Sequence, residues 1–184
     1  GKLGFQALFE VGPVDGQTGR ILDAEGVAWN VLLPACDGDV SSLKGVRPFD
    51  RMIMRSNDSM TVAKSTFQVF GANHNFYNTE WQVSDAQECP GQPMLFPQYG
   101  GSPSQRKTAE ETVIPFFLAH VGERKTPIFA KRFDPSQPIP RELSAITYYA
   151  RGHSNSLRPT PNFIIDDFTQ ETGISSRGAG NVAY

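Results

Sequence analysis

Residues 27–40 read VAWNVLLPACDGDV, residues 41–54 read SSLKGVRPFDRMIM, and residues 65–76 read STFQVFGANHNF. The run at 27–33 is apolar except for Asn30, does not alternate and closes at Pro34, a pattern that suits a strand covered on both faces of a parallel sheet. Over residues 42–54, Leu43, Val46, Phe49, Met52 and Ile53 recur at three- and four-residue steps, which predicts a helix. Pro48 weighs against it, because proline is tolerated early in a helix and not in its middle. Asn57 and Asp58 break the segment, and a further strand at 65–70 ends at Gly71. Strand, helix, strand in this order is the crossover unit of a parallel sheet.

Upstream, residues 3–11 read as another buried strand that stops at Gly12-Pro13, with turn chemistry at Asp15-Gly16 and Thr18-Gly19. Downstream, residues 73–101 form a long loop whose aromatic content argues against disorder. A helix is expected from Thr108, with Glu111 completing a capping box. Its apolar stripe is Val113, Ile114, Phe117, Leu118 and Val121, and Pro115 within it predicts a kink or early break. After Gly122 the prolines at 127, 135, 138, 140, 159 and 161 punctuate short extended runs at 145–149 and 163–165. The expected fold class is therefore α/β. Residues 1–122 form a parallel sheet with flanking helices, and 123–184 a linker and β-rich segment that could begin a second domain, with a boundary between Gly122 and Arg141.

The chain has 184 residues, 17 Lys and Arg against 19 Asp and Glu, and a formal net charge of −2. That balance argues against nucleic acid as a partner, since phosphate neutralisation needs a basic surface. No run of about 18 apolar residues predicts a transmembrane segment. Residues 1–7 lack the basic stretch and cleavage site of a signal peptide, so none is expected within the chain. Cys36 and Cys89, with His74, His120 and His153, show no ligand spacing, so no metal site is expected. His120 sits near a helix carboxyl end, where a cation is favoured for structural reasons, and His153 reads as a surface residue.

Chemistry is expected where two strands end. One runs into Cys36-Asp37-Gly38-Asp39-Val40 and the next into Gly71-Ala72-Asn73-His74-Asn75-Phe76. Residues just past the carboxyl ends of parallel strands line a common crevice. A carboxylate bonded to one imidazole nitrogen fixes the tautomer and leaves the other to deprotonate a nucleophile. Asp37-Gly38-Asp39-Val40 resembles the acid turn of α/β-hydrolases, and Gly71–Phe76 resembles their histidine loop. The continuation Tyr77-Asn78-Thr79-Glu80-Trp81 is similar to secreted bacterial members of esterase or lipase type. The likeness spans residues 3–121, and the helix after the loop matches the last helix that packs on the hydrolase sheet. It implies Asp37 as triad acid, with Asp39 as the substitute, His74 as base, an ester substrate, no cofactor, and a secreted or extracytoplasmic setting.

The nucleophile is missing. The family carries its serine in a G-x-S-x-G elbow ahead of the acid, and no serine precedes Asp37. Gly152-His153-Ser154-Asn155-Ser156 imitates the motif on the wrong side of His74, so Ser154 would require a permuted chain. The simpler expectation is the carboxyl-terminal portion of a longer hydrolase, with the serine in a missing amino-terminal half or a partner chain. Three strands with their helices cannot cover both sheet faces alone, and burial points the same way. A non-catalytic binding or assembly subunit is the alternative. A β-sandwich carbohydrate-binding module could apply only to the tail after Arg141.

Three further expectations concern the loop. Phe76, Tyr77 and Trp81 either wall an apolar substrate pocket beside the histidine or pin the loop to the domain. Cys36 and Cys89 are either two buried thiols or a disulfide joining the acid turn to the histidine loop. Closing a loop of about 50 residues would stabilise by roughly 4 kcal/mol. A bond would also point to an oxidising compartment.

Overall fold

A computed structural model describes residues 4–15, 27–54 and 63–154. Four strands form one sheet in the order β1 (Ala7–Val11), β2 (Ala28–Pro34), β3 (Lys64–Val69) and β4 (Tyr149–Ser154). The first three run parallel and β4 is antiparallel to β3. Every residue of β2 is buried, as expected of a central strand covered on both faces, including Asn30, whose Nδ2 donates to Ser65 Oγ at 2.8 Å. The expected α/β class holds, with a mixed rather than purely parallel sheet.

Helix α1 (Val46–Met54) connects β2 and β3. It starts four residues later than residue 42, which places Pro48 in the first turn, where its missing N–H costs no intrahelical bond. One sheet face carries Trp29, Val31 and Leu33, packed against Val46. The other carries Ala28, Leu32, Phe67 and Val69, packed against Phe116 of α2 (Pro103–His120) and against Phe133 and Leu143. Phe116 is the hub of that second layer, in edge-on contact with Phe9 and Phe133 at centroid separations of 5.3 and 5.6 Å.

Helix α2 departs from the sequence expectation in three ways. It begins five residues before Thr108, capped by Ser102, whose hydroxyl accepts from the Gln105 amide at 3.1 Å. Pro103 occupies its first turn, and Thr108 instead donates back to the Gln105 carbonyl within the helix. Its buried face is Gln105, Thr108, Thr112, Pro115, Phe116 and Ala119, whereas Ile114, Phe117, Leu118 and Val121 are exposed among the described residues. The polar groups Gln105 and Thr108 turn inward because the loop before the helix offers them partners. Third, the helix continues through Pro115 to His120. Proline at 115 deprives the Glu111 carbonyl of its donor, and the Arg132 guanidinium supplies one at 2.6 Å while also pairing with the Glu111 carboxylate at 3.0 Å.

The described part of 123–184 is not β-rich. It holds a 3-10 turn at Pro127–Phe133, the short helix α3 (Arg141–Ser144) and β4. The run expected at 145–149 contributes only Tyr149 to a strand, and the run at 163–165 lies outside the described residues. Arg132 reaches the Glu142 carboxylate at 2.7 Å, and Arg151 on β4 donates to the Arg132 and Gln137 carbonyls. These contacts and the β3–β4 ladder draw residues 123–154 onto the sheet of the preceding segment. Proline spacing suggested strands here; the prolines instead start the 3-10 turn and α3.

Candidate active site

The parallel register brings the carboxyl ends of β1, β2 and β3 to one edge of the sheet, and Gly12, Asp37 and His74 follow them. Ladder-like bonds continue past the strands: the Ala35 amide donates to the Val69 carbonyl at 3.0 Å and the Cys36 amide to the Ala72 carbonyl at 2.8 Å. The acid turn and the histidine loop are thus zipped together before either side chain is considered.

Asp37 is inaccessible, its side chain 1% exposed. Its Oδ1 accepts from the amides of Asp39 and Val40 at 2.9 and 2.5 Å, closing an Asx turn. That leaves Oδ2, which lies 2.9 Å from His74 Nδ1. The same carboxylate therefore shapes its own turn and holds the ring. A neutral imidazole in this bond carries its proton on Nδ1 and presents a free lone pair at Nε2. The His74 pKa is raised above its ordinary value, first by the hydrogen bond to Asp37, with the charges of Asp37, Asp39 and Asp85 adding to it and burial opposing.

Asp39 lies away from the Nδ1 contact that Asp37 makes. Its carboxylate is 4.0 Å from Nε2, on the opposite side of the ring from Asp37, and its side chain is 68% exposed. Nε2 itself makes no hydrogen bond to a serine among the described residues. Ser154 cannot supply one: the register pairs it with Lys64 at the amino end of β3, whereas His74 follows the carboxyl end. His153, beside it on β4, pairs with Ser65 and is equally remote in the register. His120 packs its ring against Phe116 at 4.9 Å within α2, a structural position.

The aromatic residues part company. Phe76 is fully buried, sharing a small core with Cys36, Ala86, Cys89 and Phe96, so it fills the loop's interior and walls no pocket. Tyr77 packs against the main core, with its hydroxyl 3.4 Å from Thr108 and its pKa pushed far up by burial. Both pin the loop. Trp81 alone faces outward, 48% exposed. It stacks on His74 at 6.2 Å and 21° and lines a depression of about 530 Å³ with Asp39, Asn75, Glu80, Gln82, Val83 and Asp85.

Cys36 and Cys89 are disulfide-bonded, with Cα atoms 5.3 Å apart. The bond anchors the residue before Asp37 to the middle of the loop that carries Trp81. Two residues that the sequence did not single out complete the frame. Gln105 clamps Asn73 from both sides, accepting from its amide at 3.0 Å and donating to its carbonyl at 2.7 Å. Asn73 Oδ1 in turn accepts from the Phe76 amide at 3.1 Å. Asp85 accepts from backbone amides on both sides of the site. Neither could be found by spacing, because each acts on backbone groups remote in the chain.

Gly12 closes the site from the β1 side at a φ of +55°, where a Cβ would lie 2.9 Å from His74 Nδ1 and 3.3 Å from Asp37 Oδ2. Gly12→Ala is therefore expected to displace the ring and break the 2.9 Å bond. The measurement is the downfield Nδ1–H proton resonance of His74, which should vanish in the variant; its persistence at an unchanged shift would refute the steric argument.

Among the described residues no cluster of three or more His, Cys, Asp or Glu side chains could hold a metal ion, and no helix is long and apolar enough to cross a membrane. Comparison with protein-family models, with curated proteins and with solved structures returns no match.

Proposed function

We propose that Asp37 and His74 are the acid and base of a Ser-His-Asp acyl-transfer site of α/β-hydrolase type, acting on an ester, with the serine supplied by a part of the protein outside this chain. The supporting observation is the 2.9 Å bond between a buried carboxylate and a ring that is 21% exposed. In the proposed cycle the serine hydroxyl attacks the ester carbonyl as Nε2 takes its proton. Asp37 stabilises the resulting imidazolium, and His74 returns the proton to the departing alcohol. Water then repeats the sequence on the acyl-enzyme. Every step is proton transfer and acyl exchange at these groups, and Trp81 flanks the place where substrate would lie.

The sheet offers a place for the proposed serine-bearing part. Among the described residues β1 stands at the edge of the sheet, where a further parallel strand would pair. A strand added there would end beside Gly12, and hence beside His74. The exposed residues Ile114, Phe117, Leu118 and Val121 on α2 provide apolar surface for the helices such a half would bring. The same uncovered face also favours a second reading, a non-catalytic subunit that uses it for assembly. The disulfide fits an extracytoplasmic setting.

A fluorophosphonate probe applied to the complete protein or assembly separates the two. A competent site is labelled, and His74→Ala abolishes labelling; an intact assembly that never labels supports the assembly role. The labelling rate should rise with pH through the raised pKa of His74, because only the neutral ring accepts the serine proton. Linkage has the opposite sign for stability. A pKa raised by folding means that the stabilisation from the charged pair is complete below the unfolded value near 6.5 and lost as pH climbs through the folded one. Labelling rates measured from about pH 5 to about pH 9 should show a single ascending limb; a flat profile overturns the base role.

A further inference from the structure

We propose that Asp85 is a positioning residue for the Asp37–His74 pair, its carboxylate setting the separation between the acid turn and the histidine loop. The inference rests on the reading of that pair as acid and base. One carboxylate grips both backbone segments: Oδ2 accepts from the Gly38 amide at 2.7 Å and the His74 amide at 3.1 Å, and Oδ1 accepts from the Asn75 amide at 2.9 Å. Gly38 immediately follows the acid, and the other two donors are the base and its neighbour. No other side chain among the described residues is recorded as bonding the backbone at both positions.

The strut is itself held rigidly. The Ser84 amide donates to the Gln98 carbonyl at 3.0 Å. The Ser84 hydroxyl donates to the Ala86 carbonyl at 2.6 Å and accepts from Asn73 Nδ2 at 2.9 Å. Four residues beyond Asp85, Cys89 is tied back to Cys36. There is also no slack between the strut and the turn. A Cβ on Gly38 would meet the Asp85 carbonyl oxygen at 2.2 Å, so glycine is required there for the backbones to lie in contact.

A carboxylate suits this place for a chemical reason. Three N–H donors converge, and an ionised carboxylate presents acceptors only. An asparagine would offer one oxygen and turn an NH₂ group toward at least one of the donors. The charge also belongs to the set that faces the imidazole, with Asp37 and Asp39, and favours its protonated form.

The test uses the isotope-labelled chain with its disulfide intact, and is independent of catalysis. In the unsubstituted protein, His74 should show a downfield Nδ1–H resonance and protected amides at Gly38, His74 and Asn75. In Asp85→Ala, exchange of those three amides should accelerate by about tenfold or more while the β2 and β3 amides keep their protection. The Nδ1–H resonance should broaden or disappear. Asp85→Asn should fall between the two, with exchange faster at one donor set only and a lowered His74 titration midpoint. Should Asp85→Ala fail to fold, Asp85→Asn decides: loss of the resonance or of amide protection supports the role, and retention of both overturns it. If the unsubstituted chain shows the resonance and Asp85→Ala keeps it, the positioning role falls and the acid–base pair stands. If the unsubstituted chain lacks it, the pair falls and the role of Asp85 with it.

Discussion

Replacing Cys36 and Cys89 together with alanine should lower the unfolding free energy by about 4 kcal/mol. The bond closes a loop of sequence separation 53, and its removal releases that loop's conformational freedom in the unfolded chain. Both cysteines are buried, so the small alanine side chains also leave Phe76, Ala86 and Phe96 less tightly packed. Urea denaturation of the oxidised chain and the double variant measures the difference directly. The local consequence is as informative as the global one. Cys36 precedes the acid, and Cys89 terminates the segment that carries Asp85 and Trp81, so loosening should appear first in the amides of residues 37–40 and 73–75. A stability change below about 1 kcal/mol would show that the backbone bonds of the acid turn suffice without the covalent tie.

Asp37→Asn should slow fluorophosphonate labelling of the complete protein by about 10⁴-fold, the loss expected where a triad acid becomes an amide. The variant should remain folded. Oδ1 still accepts from the Asp39 and Val40 amides, which preserves the Asx turn. What changes is the group facing the ring. An NH₂ in place of Oδ2 makes Nδ1 the acceptor, moves the imidazole proton to Nε2 and removes the lone pair that must take the serine proton. Nitrogen chemical shifts of His74 report the tautomer and should exchange their pattern between the two ring positions. A variant that labels at the unsubstituted rate would mean that His74 is not oriented by Asp37 during reaction.

Much of the fold was readable because burial imposes periodicity. The apolar run at 27–33, interrupted only by Asn30, suits a strand covered on both sides, and β2 is fully buried. The acid and the histidine were legible for a related reason: parallel strands end on one side, so residues just beyond them are neighbours whatever their sequence separation. The errors have equally physical sources. Hydrophobicity alone points the apolar stripe of α2 inward, yet Gln105 faces inward because the buried backbone of Asn73 needs polar partners, and Thr108 meets the Tyr77 hydroxyl. Pro115 suggested a break, and Arg132, 17 residues further along in number, supplies the missing donor. For the aromatic cluster the sequence leaves wall and pin both open; Phe76 and Tyr77 are taken up by packing, and Trp81 is exposed.

Local sequence pattern thus pointed to the α/β class, the first three strands and the two titratable side chains at the ends of two of them. The tertiary structure decided which oxygen of Asp37 meets the ring, that the two cysteines join, that β4 returns antiparallel to β3, and that Asp85 and Gln105 brace the site. The division has one cause. Periodicity and turn chemistry are properties of consecutive residues, whereas a carboxylate that accepts from amides ten and 47 positions away leaves no mark on its own neighbours in the chain.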